Sequence, residues 1–507
     1  MLPYLTSEAE NSKKYIVQFQ GLNMGEGGTD GEFSETENIS SVLSPCITQR
    51  FGRVLSGQYT APTAMHAKEG LLVIDGTDVK YDGAVVGTVT EGRKELATIG
   101  QYIVIFPDKK YYKVDTGTFG NMEESYAAEA GTLTFTDSTI TTSGGAFDFH
   151  TGDAVVITGC TTAPENNKTV IIRKVEGKVL TFYENTFTAG TEAAAVLIKR
   201  EVPSLEHICE SNYRLWGTMG NTIYGSKYGD PFNFQVFDGL SGDSYYIDVG
   251  SDGEFTGCMP YSSHICFFKE NTLHKLYGSK PANFQIVTSQ VYGVQAGSER
   301  SMCVINETLF YKGVNGVYAY TGGVPELISQ KFGTVRFSDA CAATDGERYY
   351  ISMRNGTTWH LMVYDVLRNV WLREDGTHCV DMAFHDGHVY LLTDTGALYK
   401  VDSAAPKDDI EWSVTFCPFA ETMNERKGYS RFHLRLELKT GAWLTVEMRR
   451  DNAPVWEKVY TTHNSRERTL TVPVLPARCD SVEIRLRGKG ECLVRTFIRE
   501  FFVGSDV

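Results

Sequence analysis

Histidines and carboxylates gather at a few turns of this sequence, and such residues could bind a metal ion or catalyse hydrolysis. His264 and His274 flank one predicted hairpin, while His378, His385 and His388 lie close together around another. A zinc site needs a matched set of cysteines, histidines or carboxylates at characteristic spacings. No such set accompanies these imidazoles, so we interpret them as residues of turns and strand edges.

The acidic side chains do not form a recognisable catalytic or calcium-binding pattern either. The DGTD turn at Asp75 and the DTG turn at Asp394 lack the ladder of ligands of an EF-hand. A glycosidase needs paired carboxylates around one pocket, and the sequence does not show that any two of Asp243, Asp248 and Asp365 face each other. Nucleophile elbows, HExxH motifs and glycine-rich phosphate loops are missing. We therefore predict a non-enzymatic protein with no catalytic, metal-binding or cofactor-binding residues.

The elements that position these residues are predicted to be strands. The chain has 507 residues, which suggests two to four domains, and it contains 49 Gly, 27 Tyr and 27 Phe. Many windows alternate between apolar and polar residues over four to eight positions, whereas few show helical periodicity. The predicted fold class is all-β.

A recurring hairpin indicates the architecture. Each copy has an apolar strand, a turn with Gly, Asn or Asp, and a second strand, which ends in Tyr in most copies. The seven copies are Gly70–Gly83, Ile99–Asp115, Arg214–Phe234, Ser262–Gly278, Ile305–Gly323, Asp345–Asp365 and His385–Asp402. A spacing of about 30 to 45 residues is typical of β-propeller blades. Because two hairpins could share a blade, we predict a β-propeller of five to seven blades.

Two stretches depart from this repeat. Between Asp115 and Arg214, alternating strands are separated by turns such as Gly152-Asp153 and Glu176-Gly177, which predicts a small β-barrel or sandwich inserted between blades. Beyond Val401 the strands become longer and predict a C-terminal β-sandwich.

The sequence thus divides into five predicted parts. They are residues 1–60 as an N-terminal arm and leader strands, 61–122 as the first propeller part, 123–203 as an inserted small β-barrel, 204–405 as the remaining blades, and 406–507 as a C-terminal β-sandwich. Within the first part we expect a strand over Tyr15–Gln20 and a loop or arm over the acidic segment Asn23–Glu37.

Composition excludes several classes of protein. The net charge is −15, and since residues 408–507 carry +1, the remainder carries −16. Such an acidic surface repels phosphates and argues against a protein that grips nucleic acid. We expect no secretory signal, no membrane span, and eleven reduced cysteines in a protein made in a cytoplasm.

Arginines on the predicted sandwich have two interpretations. Six are expected to point outward: Arg431, Arg435, Arg485, Arg487, Arg495 and Arg499. They could form a solvated face with cross-strand partners such as Glu437, Glu447 and Glu483. They could instead form a docking face for an acidic partner, such as a neighbouring copy of this chain.

The hairpin RLWGTMGNTIYGSKYGDPFNF, Arg214–Phe234, resembles one found in tail hub, stabilisation and nozzle proteins of short-tailed bacteriophages. There an Arg-x-Trp strand, an Asn-x-Ile strand and a Gly-Asp-Pro-x-Asn-Phe turn recur in this order. Asn38–Arg53 resembles the leader of that family, Val155–Phe187 its small β-insert, and Pro473–Val507 its C-terminal sandwich.

This resemblance implies a structural protein of the virion tail, made in the bacterial cytoplasm. The family would assemble as a homohexameric ring below the portal and adaptor proteins, contact tail fibres or spikes, and conduct double-stranded DNA without binding it specifically. An acidic lining would suit such a channel because basic residues would hold the phosphates.

Two other functions remain open from the residues. A receptor- or glycan-binding propeller could use aromatic residues at its tips, such as Tyr245, Tyr246 and Trp359, to stack on sugars. A propeller hydrolase would require the convergent carboxylates discussed above.

Overall fold

A computed structural model describes residues 11–421, 425–463 and 468–503. The chain divides into two units, a middle unit (Thr60–Glu299) and a terminal unit (Met1–Tyr59 with Arg300–Val507). Within the described residues the secondary structure is β, without an α-helix, which confirms the predicted all-β class. Four short 3-10 helices occur at Pro164–Asn166, Pro281–Asn283, Glu299–Ser301 and Gln330–Phe332.

The middle unit contains four antiparallel sheets in which four consecutive strands pair in chain order. These are sheet 1 (Pro62–Lys68, Gly70–Asp75, Asp78–Tyr81, Ala84–Thr88), sheet 2 (Glu95–Ile99, Tyr102–Phe106, Lys110–Lys113, Thr118–Asn121), sheet 3 (His207–Ser211, Arg214–Met219, Thr222–Gly225, Tyr245–Asp248) and sheet 4 (Gly257–Tyr261, His264–Lys269, Thr272–Tyr277, Gln285–Gln290).

The terminal unit contains three more sheets of this kind. These are sheet 5 (Cys303–Ile305, Thr308–Gly313, Gly316–Tyr320, Glu326–Leu327), sheet 6 (Ser338–Thr344, Arg348–Asn355, Thr358–Asp365, Val370–Asp375) and sheet 7 (Cys379–His385, His388–Thr393, Ala397–Asp402, Gly52–Gln58). The fourth strand of sheet 7 comes from the N-terminal part of the chain, and it pairs antiparallel with Ala397–Asp402.

Each of the seven predicted hairpins supplies the two middle strands of its own sheet. No two of them share a sheet. In the Arg214 hairpin the turn is Gly220-Asn221, where Gly220 has φ 56°. This left-handed conformation is readily adopted by glycine and matches the twist of the flanking strands.

The second strand of each sheet is largely buried because its two faces pack against different neighbours. In sheet 2, Ile103 and Ile105 pack with residues of sheet 1, whereas Val104 and Phe106 pack with residues of sheet 3. Side chains alternate between the faces of a strand, so one strand contributes to two hydrophobic cores. Inside each unit, the first strand of a sheet also lies against the first strand of the next sheet.

The insert between sheets 2 and 3 consists of two sheets around one hydrophobic core. In order of pairing, the first contains Glu124–Ala128, Val196–Arg200, Ala154–Thr158 and Thr169–Ile171. The second contains Lys174–Glu176, Val179–Thr181, Thr139–Thr142, Leu133–Phe135 and Gly190–Thr191.

The C-terminal region forms two sheets that share a core rich in Phe, Leu and Val. One consists of Asn11–Ile16, Cys492–Val503, Lys427–Leu438 and Arg468–Pro473, with Arg478–Cys479 paired at its side. The other consists of Gly21–Leu22, Glu32–Glu37, Glu411–Phe416, Val482–Lys489, Trp443–Arg450 and Glu457–His463. A separate small ladder joins Ile39–Ser40 to Thr48–Gln49.

Three N-terminal strands belong to these C-terminal sheets, which corrects two predictions. The strand expected over Tyr15–Gln20 ends at Ile16, and it pairs along Phe497–Phe502. The acidic segment Asn23–Glu37 is not wholly a loop, since Glu32–Glu37 is a strand with Phe33 buried. Its partner strand, Glu411–Phe416, lies nearly 400 residues further along the chain, so no local sequence pattern indicates the pairing.

The prediction that Arg499 points outward is wrong. A β-bulge at Arg495 shifts the register between the partner pairs Arg435↔Thr496 and Leu436↔Val494. Beyond that bulge the odd-numbered residues face the core, because an additional residue reverses the alternation. Arg499 is therefore fully buried, and its guanidinium bonds Glu421 at 2.7 Å and Asp30 at 2.8 Å.

We expect replacement of Arg499 by Met to destabilise the terminal unit by about 3 kcal/mol, because the buried carboxylate of Glu421 would lose its bonds to the guanidinium and keep a half-exposed charged partner, Lys14. Urea unfolding followed by circular dichroism would measure this loss. The matched variant Arg431→Met removes an arginine whose side chain is 60% exposed, and its effect should stay within about 0.5 kcal/mol. Equal stability of the two variants would contradict the proposed role of Arg499.

Among the described residues, no helix has both the length and the apolar character required to cross a membrane. The eleven cysteines are present as thiols, and ten of them are buried.

Candidate functional site

The hairpin that carries the family resemblance is also a structural junction of the middle unit. Its strands Arg214–Met219 and Thr222–Gly225 lie in the centre of sheet 3. A long loop follows before the last strand of the sheet, Tyr245–Asp248. This loop contains the Gly-Asp-Pro turn.

Arg214 fixes the start of the hairpin to the end of that loop. Its guanidinium is fully buried and donates to the carbonyl oxygens of Ser226 at 2.6 Å, Asp243 at 2.5 Å and Ser241 at 2.9 Å. Burial lowers its pKa, since its bonded partners are neutral carbonyls, while the nearby carboxylate of Asp243 opposes that shift. The buried arginine thus binds both the beginning and the end of this loop.

The Gly-Asp-Pro turn orients Asn233. Asp230 accepts a bond from the backbone N–H of Phe232 at 3.0 Å and another from Asn233 Nδ2 at 2.6 Å. Asn233 is 1% exposed, and its side-chain oxygen accepts from the N–H of Ala154 at 3.0 Å. Its Nδ2 also donates to Asp153 Oδ1 at 3.1 Å. The motif therefore bonds directly to the first insert sheet.

Asp153 is the centre of this junction. Besides Asn233, it accepts from Arg200 Nη1 at 2.8 Å and from the N–H of His150 at 2.8 Å. Arg200 in turn donates to the carbonyl oxygen of Met122, where the insert begins, at 3.1 Å. Its guanidinium also lies over the ring of Phe232 at 5.4 Å. Both ends of the insert are thereby tied to the turn of sheet 3.

Sequence reasoning identified this motif but missed its partners. Gly152-Asp153 was interpreted as an ordinary turn, and no role was assigned to Arg200. The bonds join residues 47 and 80 positions apart, so no local pattern connects them. The only sequence signal was an Asp in a turn and an Arg at the end of a strand.

The carboxylates considered for hydrolysis are engaged in structural bonds. Asp243 accepts from the backbone of Gly239 at 2.6 Å and of Leu240 at 3.0 Å. Asp248 accepts from the hydroxyl of Thr222. In the terminal unit, burial opposes ionisation of Asp365, but bonds from Ser41 and Arg368 lower its pKa overall. The structure does not bring these three acids together around a pocket within either unit.

The histidines are likewise held by neighbours. His264 lies between the rings of Tyr261 and Tyr277. His274 is 2% exposed and bonded to Ser251 at 2.8 Å and Thr288 at 2.9 Å.

Of the other three histidines considered, His378 lies in the connection between sheets 6 and 7, and His385 and His388 lie in sheet 7. His378 stacks on Trp359 at 3.6 Å, and His385 pairs in register with His388. Within the part of the chain that the structure describes, no group of three or more His, Cys, Asp or Glu is arranged to hold a metal.

A cleft of about 430 Å³ in the middle unit contains a buried lysine. Lys269 is 2% exposed and donates to Asn221 Oδ1 at 2.8 Å and to the carbonyl oxygen of Ser251 at 2.7 Å. Burial lowers its pKa, while Asp252 opposes the shift. The ammonium also lies over the ring of Phe255 at 4.9 Å, so we interpret Lys269 as a structural brace of this cleft.

The aromatic residues considered for glycan binding differ in exposure. Tyr245 packs against Trp216 and Phe284, and Trp359 is covered by His378. Tyr246 is 57% exposed and contacts the ring of Phe237. Of the three rings, that of Tyr246 is exposed, and those of Tyr245 and Trp359 are half-buried.

Comparison with known proteins places the chain in no family. No family model and no curated protein matches the sequence. Similar solved structures include Hsv2 from Kluyvelomyces marxianus, with 11% identity over 43% of this chain and 65% of that one, TM-score 0.26. Another is an exo-β-1,3-galactanase from Phanerochaete chrysosporium, with 9% identity over 58% and 95% of the two chains, TM-score 0.23. Similarity this low says nothing about function.

We expect Asp153→Ala to loosen the insert, because Arg200 would be left buried without its carboxylate, at a cost of about 3–5 kcal/mol. Hydrogen exchange should show faster exchange in the insert strands and little change in sheets 5 to 7. Asp148→Ala is the matched control, since Asp148 is an exposed aspartate of the same segment. Unchanged exchange in the insert would show that Asp153 does not anchor it.

The middle unit should lose stability as the pH falls from 6.5 toward 4. Burial, with a smaller contribution from Lys269, lowers the pKa of His274 from 6.5 to about 4. Between pH 6.5 and pH 4, His274 is protonated in the unfolded chain but stays neutral in the folded chain, so a lower pH favours unfolding. His274→Gln should reduce this dependence in urea unfolding at neutral pH and at pH of about 5. His150→Gln, at a histidine whose side chain is 81% exposed, should leave it unchanged.

Proposed function

We propose that this chain is a structural protein of a bacteriophage tail, a ring-shaped nozzle or hub that seals and then conducts DNA during genome ejection. The observation that carries the proposal is the Arg214–Phe234 hairpin, in which Arg214, Asp230 and Asn233 of the motif hold the backbone and the insert in place. Arg214 braces a loop and Asn233 anchors the insert. A motif whose residues hold the backbone in place fits a structural protein better than an enzyme.

We infer that the seven four-stranded sheets are the blades of one β-propeller. Two observations support this inference. Within each unit, the first strands of successive sheets lie against each other, as strands around a central axis do. In addition, Gly52–Gln58 completes sheet 7, so a strand near the start of the chain would join the last blade. Such a strand opposes unravelling because it links distant parts of the chain.

The distribution of charge supports a channel for DNA. Outside residues 408–507 the chain carries a net charge of −16. A basic lining would bind phosphates with release of counterions and would slow a passing duplex. An acidic or neutral lining avoids this attraction, so the acidic body suits transport better than specific binding.

The C-terminal sandwich offers arginines for contact with a neighbouring copy. Arg431, Arg435 and Arg487 are exposed. A cyclic ring requires two different complementary surfaces on each copy. The exposed arginines of the near-neutral sandwich could supply one of these surfaces, and acidic residues elsewhere in the chain could supply the other. The portal, adaptor and fibre proteins would contact other surfaces of the ring.

Electron microscopy of the purified full-length protein tests the proposal. We expect six-fold rings whose bore lacks a lining of Lys and Arg. Arg487→Glu should weaken the rings, since it reverses a charge of the proposed interface. Arg336→Glu, at an exposed arginine outside the sandwich, should not.

A protein that stays monomeric and never joins virus particles would contradict a nozzle. So would a ring whose bore is basic. Glycan recognition is the alternative function, and it has the exposed ring of Tyr246 in its favour. Saturable binding by the monomer on a glycan array, lost in Tyr246→Ala, would favour that alternative.

A further inference from the structure

The terminal unit contains a cleft of about 430 Å³ whose floor is the polar face of a sheet. The floor belongs to the six-stranded sheet of the C-terminal sandwich, on the side away from its hydrophobic core. Sheet 6 forms one wall, through His360 and Arg373. Pockets of this volume are large enough for a small molecule.

Most charges on the floor are paired with each other. Glu35, Thr415, Arg485 and Glu447 lie in one row across four strands. In that row Arg485 Nε donates to Glu447 at 2.7 Å.

The next row repeats this arrangement with a two-pronged bond. Arg449 Nε and Nη2 donate to the two carboxylate oxygens of Glu483 at 2.9 and 2.7 Å. Glu447 thus has one of the six arginines, Arg485, as its cross-strand partner, whereas Glu483 pairs with Arg449, which is not one of those six. These two arginines are neutralised by their partners.

Trp456 holds the two paired arginines in place. Its ring lies 4.7 Å from the guanidinium carbon of Arg449 and 4.3 Å from that of Arg485. Contacts between guanidinium groups and indole rings are favourable. These three side chains form a border of the cleft. The indole ring is covered by Arg449 and Arg485.

Arg373 differs from these arginines because no described residue forms an ion pair or hydrogen bond with its guanidinium. Its Nε atom is nonetheless buried. Only its backbone is engaged, through the N–H that donates to Thr36 Oγ1 at 2.8 Å. Glu35 is the remaining charged side chain in the cleft, and it is exposed to solvent, where its charge is screened.

Two neutral donors accompany Arg373. Thr415 is 4% exposed, and its Oγ1 has no hydrogen-bond partner in the described part of the chain. His360 Nδ1 is buried and likewise unpartnered among the residues described. Burial lowers the pKa of His360, and the positive charge of Arg373 lowers it further, so the imidazole is neutral at pH 7. Buried polar atoms usually have partners, so three unpartnered ones in one cleft call for an explanation.

We propose that this cleft is a binding site for a small oxyanion, a carboxylate or phosphate group, held by Arg373, His360 and Thr415. The guanidinium would donate two parallel bonds, which match the spacing of oxygens in such a group. His360 and Thr415 would each donate one more bond. The inference goes beyond the proposed tail function, since a structural protein of any class could carry such a site.

Titration calorimetry of the full-length protein tests this site, with inorganic phosphate and glucuronate as separate probes. They distinguish a phosphate from a sugar carboxylate as the preferred group. We expect saturable binding of at least one probe at one site per chain. Arg373→Gln should weaken it at least tenfold, since hydrogen bonds between charged groups are about twice as strong as those between neutral groups. Thr415→Val should weaken it several-fold while keeping the shape of the side chain.

Arg431→Gln provides the control, because Arg431 is an exposed arginine outside the cleft. It should leave binding unchanged. Absence of saturable binding by both probes would overturn the proposal. Equal weakening by Arg373→Gln and Arg431→Gln would also overturn it, as it would indicate general attraction to positive charge. If Arg373→Gln fails to fold by circular dichroism, Thr415→Val decides alone.

Discussion

A four-stranded sheet that is apolar on both faces cannot be stable alone, and this constraint governs most of the structure. The second strands of sheets 1 and 4, Gly70–Asp75 and His264–Lys269, are buried at every position. Full burial of each large apolar side chain contributes about 1.5–3 kcal/mol, but only where a neighbouring sheet covers it. Alternate residues of a strand therefore need two neighbours. The repetition of hairpins along the chain follows from this need, since within each unit every sheet supplies a face to the next.

The same constraint explains why strands from the beginning of the chain pair with strands from its end. A series of such sheets leaves faces and edges at its ends that must be covered. Gly52–Gln58 covers the edge of sheet 7, and the strands before it complete the two sheets of the C-terminal sandwich. The terminal unit thus depends on pairing between the beginning and the end of the sequence. Buried ion pairs such as Arg499 with Glu421 reinforce that pairing, with Asp30 contributed from the N-terminal side.

Local signals predicted the hairpins well, because both the alternation of apolar residues and the turn residues lie within about 20 positions of each other. Features set by distant pairing were missed. Glu32–Glu37 has an acidic sequence typical of a loop, yet it is a strand because Glu411–Phe416 pairs with it. Arg499 was placed on the wrong face because a bulge at Arg495 depends on the partner strand. Of the candidate junction, the sequence indicated the Gly-Asp-Pro turn but not Asp153 or Arg200, whose roles exist only after folding.

The bonding of buried arginines distinguishes those that stabilise the fold from the one that we propose binds a ligand. Arg214, Arg200 and Arg499 are buried, and each has its guanidinium bonded to carbonyls or carboxylates of the chain itself. Each of these three guanidinium groups has replaced bonds to water by bonds to the protein, so it has few hydrogen-bond donors left for a ligand. Arg373 is partly buried without that exchange, and its desolvation is uncompensated within the described chain. Such a guanidinium gains more from an oxyanion than one already bonded to the protein, because the ligand supplies its first bonded partner and displaces none.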